Sequence, residues 1–208
     1  MAKVDISGMT KEEIMAKAEE IAKGYFREGL NCSECVLRTF MDMHDIDLPD
    51  AAITLCTGFG GGMGHTQNNC GAVSGAVMAF GAVKGRRDPF AKEDMGARIA
   101  ELQEEIYPVF GKMVNEIKEH EKTLICKELC DPFGDFNSVD RKRNCKRLIA
   151  YCAAVAAKYA EEYKKMESIL NKNVKANNTM SVTAVENTRN NQERLPNFRV
   201  VFFRRFLF

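Results

Sequence analysis

From Cys70 to Gly81 the chain runs Cys-Gly-Ala-Val-Ser-Gly-Ala-Val-Met-Ala-Phe-Gly, twelve residues without a charge. A segment apolar on every side has no face to turn to water, so it is predicted to be a buried central helix. Its glycines and alanines would let neighbouring backbones approach closely. Just before it, Gly58-Phe59-Gly60-Gly61-Gly62-Met63-Gly64 places five glycines in seven residues. Such a stretch holds neither a stable helix nor a strand and reads as a loop. The rest of the fold must wrap around this pair.

The wrapping elements read as amphipathic helices. Thr10-Lys11-Glu12-Glu13 is a capping box, followed by Ile14, Ala18, Ile21, Ala22 and Tyr25 at helical spacing, with Gly29 as the stop. Asn31-Cys32-Ser33-Glu34 repeats the capping logic for a second helix to about Asp45, and Pro49-Asp50 starts a short one toward Cys56. Asp88-Pro89 should open a long helix with Met95, Ile99, Leu102 and Ile106 inward, which Pro108 kinks or ends before helix resumes to Glu121. A short helix over 124–129 is closed by Asp131-Pro132. From Ser138 to Leu170 a long helix carries Cys145, Leu148, Ile149, Cys152, Val155, Ala156 and Tyr159 on one face. No convincing alternating strand appears. The expected architecture is an all-α single helical bundle around the small-residue helix, with a glycine-rich loop.

The bundle is assigned to residues 1–173. Residues 174–208 differ in kind: six Lys/Arg against two Asp/Glu, no cysteine, six Asn and five of the thirteen Phe. The stretch 177–197 is polar and aperiodic and reads as disordered. The aromatic, basic end, Phe198 to Phe208, reads either as a surface anchor or, preferred here, as an extension without a function, disordered or non-native. Overall, 45% apolar and 28% charged residues are those of a soluble globular protein. A net charge of +1 argues against a nucleic-acid binder. No apolar run is long enough to span a bilayer, and the first residues lack a secretory apolar core. A cytoplasmic protein is the expectation.

Eight cysteines in such a chain are the chemical anomaly, because in a reducing compartment they suggest metal ligands or redox thiols. Cys32 and Cys35 are three apart, Cys126 and Cys130 four, Cys145 and Cys152 seven, so each pair can share a helix face. Cys56 and Cys70 flank the glycine loop. Four thiolates from four elements can enclose a soft metal or an iron–sulfur cluster. Backbone amides of Gly60, Gly61, Gly62 and Gly71, in the loop and at the start of the Cys70 helix, would donate to them. Free cysteine is also a small hydrophobe, and Cys35, Cys130 and Cys152 read first as core thiols. His65, in the loop before Cys70, is the one histidine placed to tune or join a metal; its plainer reading is a loop residue bonded to backbone or solvent. His44 and His120 read as helix-end surface residues. No carboxylate pair, Ser/His/Asp set or phosphate loop stands out, which fits an electron carrier or redox module better than a self-contained enzyme.

The ordered series Cys32-x-x-x-Val36-Leu37, Gly58 to Gly64, Cys70 to Gly81, Cys126-Lys127-Glu128-Leu129 and Cys145 resembles the C-GCAxxG-C-C family, whose members are regarded as redox-active. The resemblance covers about residues 20–160. Ala72-Val73-Ser74-Gly75 fits the second half of the family's name pattern, whereas Cys70-Gly71 reverses its first two residues. The resemblance implies that Cys32, Cys70, Cys126 and Cys145 form the shared set. It leaves Cys35, Cys56, Cys130 and Cys152 as extras of this chain. A related domain occurs in split-Soret cytochromes, where it is associated with an iron centre; the Cys-x-x-Cys-His needed for covalent haem is missing here.

The function expected is electron transfer or redox sensing through an iron–sulfur cluster, most simply [2Fe–2S], on the four shared cysteines. The alternatives are a metal-free thiol–disulfide protein and a structural four-cysteine zinc domain. The redox partner protein is left unidentified by the sequence, and a homodimer is compatible with the apolar helix surface.

Overall fold

The computed structural model describes the backbone of residues 3–192 and the side chains of residues 3–173. Packing divides the chain into Met1–Lys164, which holds the core and the thiols considered below, and Lys165–Phe208. Helices α1 (Lys11–Arg27), α2 (Cys32–Met43), α3 (Gly60–Met63, a single turn), α4 (Gly71–Lys84), α5 (Met95–Ala100), α6 (Tyr107–Glu121), α7 (Cys126–Cys130) and α8 (Val139–Gln192) follow in order. Among the described residues there is no strand, only an isolated bridge between Asn69 and Ile125. The fold is all-α, as the sequence predicts. The expected tail, 174–208, falls on residues whose side chains, and from 193 onward also the backbone, lie outside the described residues.

The caps act where the sequence puts them. Thr10 and Glu13 close a reciprocal capping box on α1, and Asn31 and Glu34 do the same on α2. The uncharged segment becomes α4, which buries Gly71, Ala72, Val73, Gly75, Ala76, Ala79 and Phe80. Its closest neighbour is α2. A Cβ on Gly75 would lie 2.8 Å from the Ser33 carbonyl oxygen and 3.0 Å from the Val36 Cβ, so glycine permits that approach. Ile14, Ala18 and Ala22 of α1 and Leu148, Ile149, Val155 and Ala156 of α8 complete the core. Phe80 is its aromatic centre, with the Phe110 ring 5.0 Å and the Tyr159 ring 6.0 Å away.

Three expectations need correction. The helix after Asp88-Pro89 begins later, at Met95, where the Asp94 carboxylate accepts from the Ala97 amide. Met95 and Ile99 do not point inward: they are 66% and 51% exposed, and of the expected face only Ile106 is fully buried. Pro108 brings no amide to the ladder, and the backbone adapts through a π-helical stretch, Glu101–Ile106, before α6 restarts with proline in its first turn. His44, read as a surface residue, is 1% exposed. It caps the C-terminus of α2, packs its ring 4.2 Å from that of Phe40, and places Nδ1 3.2 Å from the Lys164 ammonium.

Candidate functional site

Three of the cysteines begin helices. Asn31 Oδ1 accepts from the amides of Ser33 and Glu34, which fixes Cys32 as the first residue of α2. Cys70 is the N-cap of α4, and Cys126 is the first residue of α7. The last two are fastened by one set of backbone bonds: the Cys70 amide donates to the Leu124 carbonyl (2.8 Å), Cys126 to Asn68 (2.7 Å) and Lys127 to Gln67 (3.0 Å). The sulfurs of Cys32 and Cys70 lie near backbone amides at the starts of α2 and α4, which favours negative charge there.

The glycine loop brings these ends together through an uncommon conformation. Gly61, Gly62, Met63, Gly64 and His65 all have φ between +62° and +74°, a short left-handed coil. It is held by the amides of His65, Gln67 and Asn68, which donate to the carbonyls of Gly60, Gly61 and Gly62. Glycine is required for space as well as for φ. A Cβ on Gly62 would lie 2.7 Å from the Cys126 Cβ, and one on Gly71 would lie 2.5 Å from the Phe59 carbonyl oxygen and 3.2 Å from the Cys32 Cβ. Met63 and His65 adopt left-handed backbone without that freedom, a cost that persists only where the surroundings dictate it.

Cys130, at the end of α7, places its sulfur 3.8 Å from that of Cys145 in α8. The two elements are tied by Asn144, whose side-chain amide donates to the Leu129 carbonyl at 2.8 Å. One turn before Cys145 stands Arg141, only 6% exposed. Its guanidinium donates to the Phe136 carbonyl, lies 3.3 Å from the centre of the Phe136 ring, and keeps Nε without a hydrogen-bond partner among the described residues. His65 is exposed, and its ring lies 4.7 Å from that of the same phenylalanine, tilted by 37°.

Electrostatic coupling shows which thiols share a neighbourhood. Burial pushes Cys32 up; the Gly61 amide, its own amide and the charge of Arg141 pull it back. Burial likewise raises Cys70 to about 11, with the Cys32 thiol adding to the rise. The amides of Ala72 and Val73 oppose it without making full capping bonds. Cys130 is shifted down, because the thiols of Cys126 and Cys145 donate to its sulfur and Arg141 stands beside it. Cys126 and Cys145 are shifted up for the same reason, since each keeps the proton it donates. Cys32, Cys70, Cys126, Cys130 and Cys145 therefore interact with one another, and the buried Arg141 acts on four of them, Cys32, Cys126, Cys130 and Cys145.

The other three cysteines are fully buried core thiols, although Cys152 still feels Cys70 and Cys32, and Cys35 feels Cys32. Cys35 is fully buried, faces the Leu30 carbonyl and is raised to about 12 by burial. Cys56 is buried 3.6 Å from the Met78 sulfur and raised to about 11. Cys152 is sealed in the core, where burial keeps its thiol protonated. Cys130, read first as a core thiol like Cys35 and Cys152, is buried in the core cluster and also stands within the thiol group. Arg141 was missed altogether. Nothing in Asp140-Arg141-Lys142-Arg143 separates the one buried arginine from its exposed neighbours except position: it falls one helical turn before Cys145.

The donor chemistry fits a soft metal or a metal–sulfur cluster: several thiols, helix-end amides, a compensating cation and apolar surroundings. No group of three or more Cys, His, Asp or Glu among the described residues is arranged to hold a metal ion as it stands. All eight cysteines are unbridged. The fit therefore rests on the gathered donors and not on a formed coordination sphere.

Comparison with known families places these features together. No curated protein and no solved structure matches the chain. The family model described as "Putative redox-active protein (C_GCAxxG_C_C)" matches residues 30–159, from the cap of α2 through the thiol group into α8. That match spans more than half of the 208 residues, and the chain belongs to the C_GCAxxG_C_C family.

Proposed function

We propose that this protein is an electron-transfer or redox-sensing module that carries an iron–sulfur cluster, most simply [2Fe–2S], on Cys32, Cys70, Cys126 and Cys145. The observation that carries the reading is the gathering of interacting thiols from α2, the start of α4, α7 and α8, with buried Arg141 beside those of α7 and α8. When bound, such a cluster supplies a one-electron couple.

The chain's own residues have separate parts in this reading. The four cysteines lose their protons on binding, so loading is pH-dependent, and burial makes the unliganded thiols of Cys32 and Cys70 reluctant to ionise alone. The amides of Gly61, Ala72 and Val73 offset thiolate charge at Cys32 and Cys70. Arg141 adds a full positive charge beside Cys130 and Cys145. The packed side chains of α2, α4 and α8 keep water from the sulfurs. An apolar pocket by itself disfavours extra negative charge and lowers the potential; Arg141 acts in the opposite direction. Electrons would pass to a partner protein.

Oxygen-free purification followed by absorption and electron paramagnetic resonance spectroscopy tests the proposal. Visible absorbance and a paramagnetic signal on one-electron reduction are expected, and Cys70→Ser should remove both. A colourless protein with bound zinc would replace this reading with a structural four-cysteine site. A fully loaded Cys70→Ser variant would overturn the ligand assignment.

A further inference from the structure

The thiol group holds five cysteines, one more than the proposed ligand set, and the fifth is in sulfur contact with a ligand. Cys130 Sγ and Cys145 Sγ are 3.8 Å apart on elements joined by the intervening loop, and either can donate to the other. Cys130 is buried and Cys145 only partly so, which makes Cys145 the more exposed residue of a part-buried pair. The neighbouring thiol of Cys126 competes poorly, because it shares the five-residue helix α7 with Cys130 and is itself buried. Between the pair lie Asp131–Phe133 and an exposed turn through Asn137, a segment that can yield as the sulfurs close to the roughly 2 Å of a disulfide.

We propose that Cys130 and Cys145 form a reversible dithiol that closes by exchange with a low-molecular-weight disulfide, and that closure removes Cys145 from the metal-binding set. Cys145, the more exposed residue of the two, passes its proton to the Cys130 sulfur it contacts, and its thiolate attacks one sulfur of the small disulfide, forming a mixed disulfide and releasing one small thiolate. That small thiolate takes up the proton, and the thiolate of Cys130 attacks the Cys145 sulfur and releases the second. The S–S bond of the small molecule is broken and one in the protein is formed. Two electrons pass from the pair to the small molecule; the Cys145 proton ends on one small thiol and a solvent proton on the other. Arg141 stands beside both protein sulfurs and stabilises the negative charge that builds on them. The second half of the proposal rests on the iron–sulfur reading; the first does not.

The test uses the full chain, stripped of metal and equilibrated without oxygen across a series of reduced and oxidised glutathione mixtures. Free thiols are then alkylated and the protein is digested with trypsin. Cys130 falls in the peptide Glu128–Arg141 and Cys145 in Asn144–Lys146, so a bridge between them is read directly by mass. The expected result is that bridge, with two of the eight thiols lost to alkylation in the oxidised members of the series. Eight alkylated thiols throughout, or a bridge from either residue to a different cysteine, would overturn the pair. In Cys130→Ala, Cys145 should stop at the mixed disulfide with glutathione. The wild-type map decides the question if that variant does not fold. Reconstitution with ferrous iron and sulfide gives the second readout: the oxidised protein should take up at least tenfold less iron than the reduced protein. Equal uptake would overturn the gating. If the reduced protein takes up none, the iron–sulfur reading fails while the peptide map still decides the pair.

Discussion

Arg141 is a guanidinium held away from water beside thiols, and a buried charge persists only where it is paired or hydrogen-bonded. Its donation to the Phe136 carbonyl and its seat on the Phe136 ring account for part of that compensation, and thiolate charge accounts for the rest. In loaded protein, Arg141→Gln should therefore lower the midpoint potential, because the reduced site carries more negative charge. Each tenfold change in a one-electron equilibrium is about 60 mV. Arg141→Lys should recover most of the shift, and an unchanged potential in Arg141→Gln would show that the arginine serves only the loop. His44 gives a prediction about stability instead. Burial, reinforced by Lys164 and Lys3, lowers its pKa to about 3, so the ring is neutral in the fold and the Glu161 carboxylate 3.3 Å away makes no ion pair with it. With Nδ1 accepting from Lys164, Nε2 carries the proton and finds no acceptor among the described residues. In the unfolded chain the same ring binds a proton below about pH 6.5. The unfolded state thus binds more protons between pH 6.5 and 3, and stability falls as pH falls through that window, by up to about 1.4 kcal/mol per unit from this group. Urea unfolding at pH 7 and pH 5 should show His44→Gln losing less stability over that interval than wild type; parallel losses would contradict the assignment.

Among the helices, α4 shows how side-chain size fixes position. Gly75 and Gly81 share this helix, yet only Gly75 faces a neighbouring backbone: a Cβ there meets Ser33, whereas one on Gly81 meets nothing within 4 Å. Alanine in place of glycine favours a helix by about 1 kcal/mol. Gly81→Ala should therefore stabilise the protein by about 0.5–1 kcal/mol. Gly75→Ala should destabilise it by about 1–2 kcal/mol, because overpacking against backbone outweighs the propensity gain. Thermal unfolding of the two variants checks both signs. The uncharged run made α4 readable from the residues, and the capping boxes made α1 and α2 readable, because each signal is local. Met95 and Ile99 misled for the opposite reason: their helical spacing is real, but no neighbouring element arrives to cover them. The left-handed coil from Gly61 to His65 was legible only as a loop. The residues that follow it, Gln67 and Asn68, accept from the start of α7, some sixty residues away in sequence, a tie that no local pattern encodes.

For the molecule as a whole, the cysteine positions carried most of the functional signal and the structure changed its weighting. Cys35, Cys56 and Cys152 are fully buried core thiols, while Cys130, also in the core, interacts with Cys126 and Cys145 of the shared set. Spacing could not separate these outcomes. Cys130 and Cys35 each sit one helical turn from a cysteine of the shared set, and only tertiary packing decides which face meets the other sulfurs. Long apolar faces on α2, α4 and α8 supply a core independent of any metal, so the thiol group is free to serve chemistry and not cohesion. None of the helices searched is long and apolar enough to cross a membrane. The most direct test of the central claim is the iron and acid-labile sulfide content of the wild-type chain purified without oxygen. The account predicts about two of each per chain, the stoichiometry of a [2Fe–2S] cluster; protein that folds with all eight thiols titratable and neither iron nor sulfide bound would contradict it.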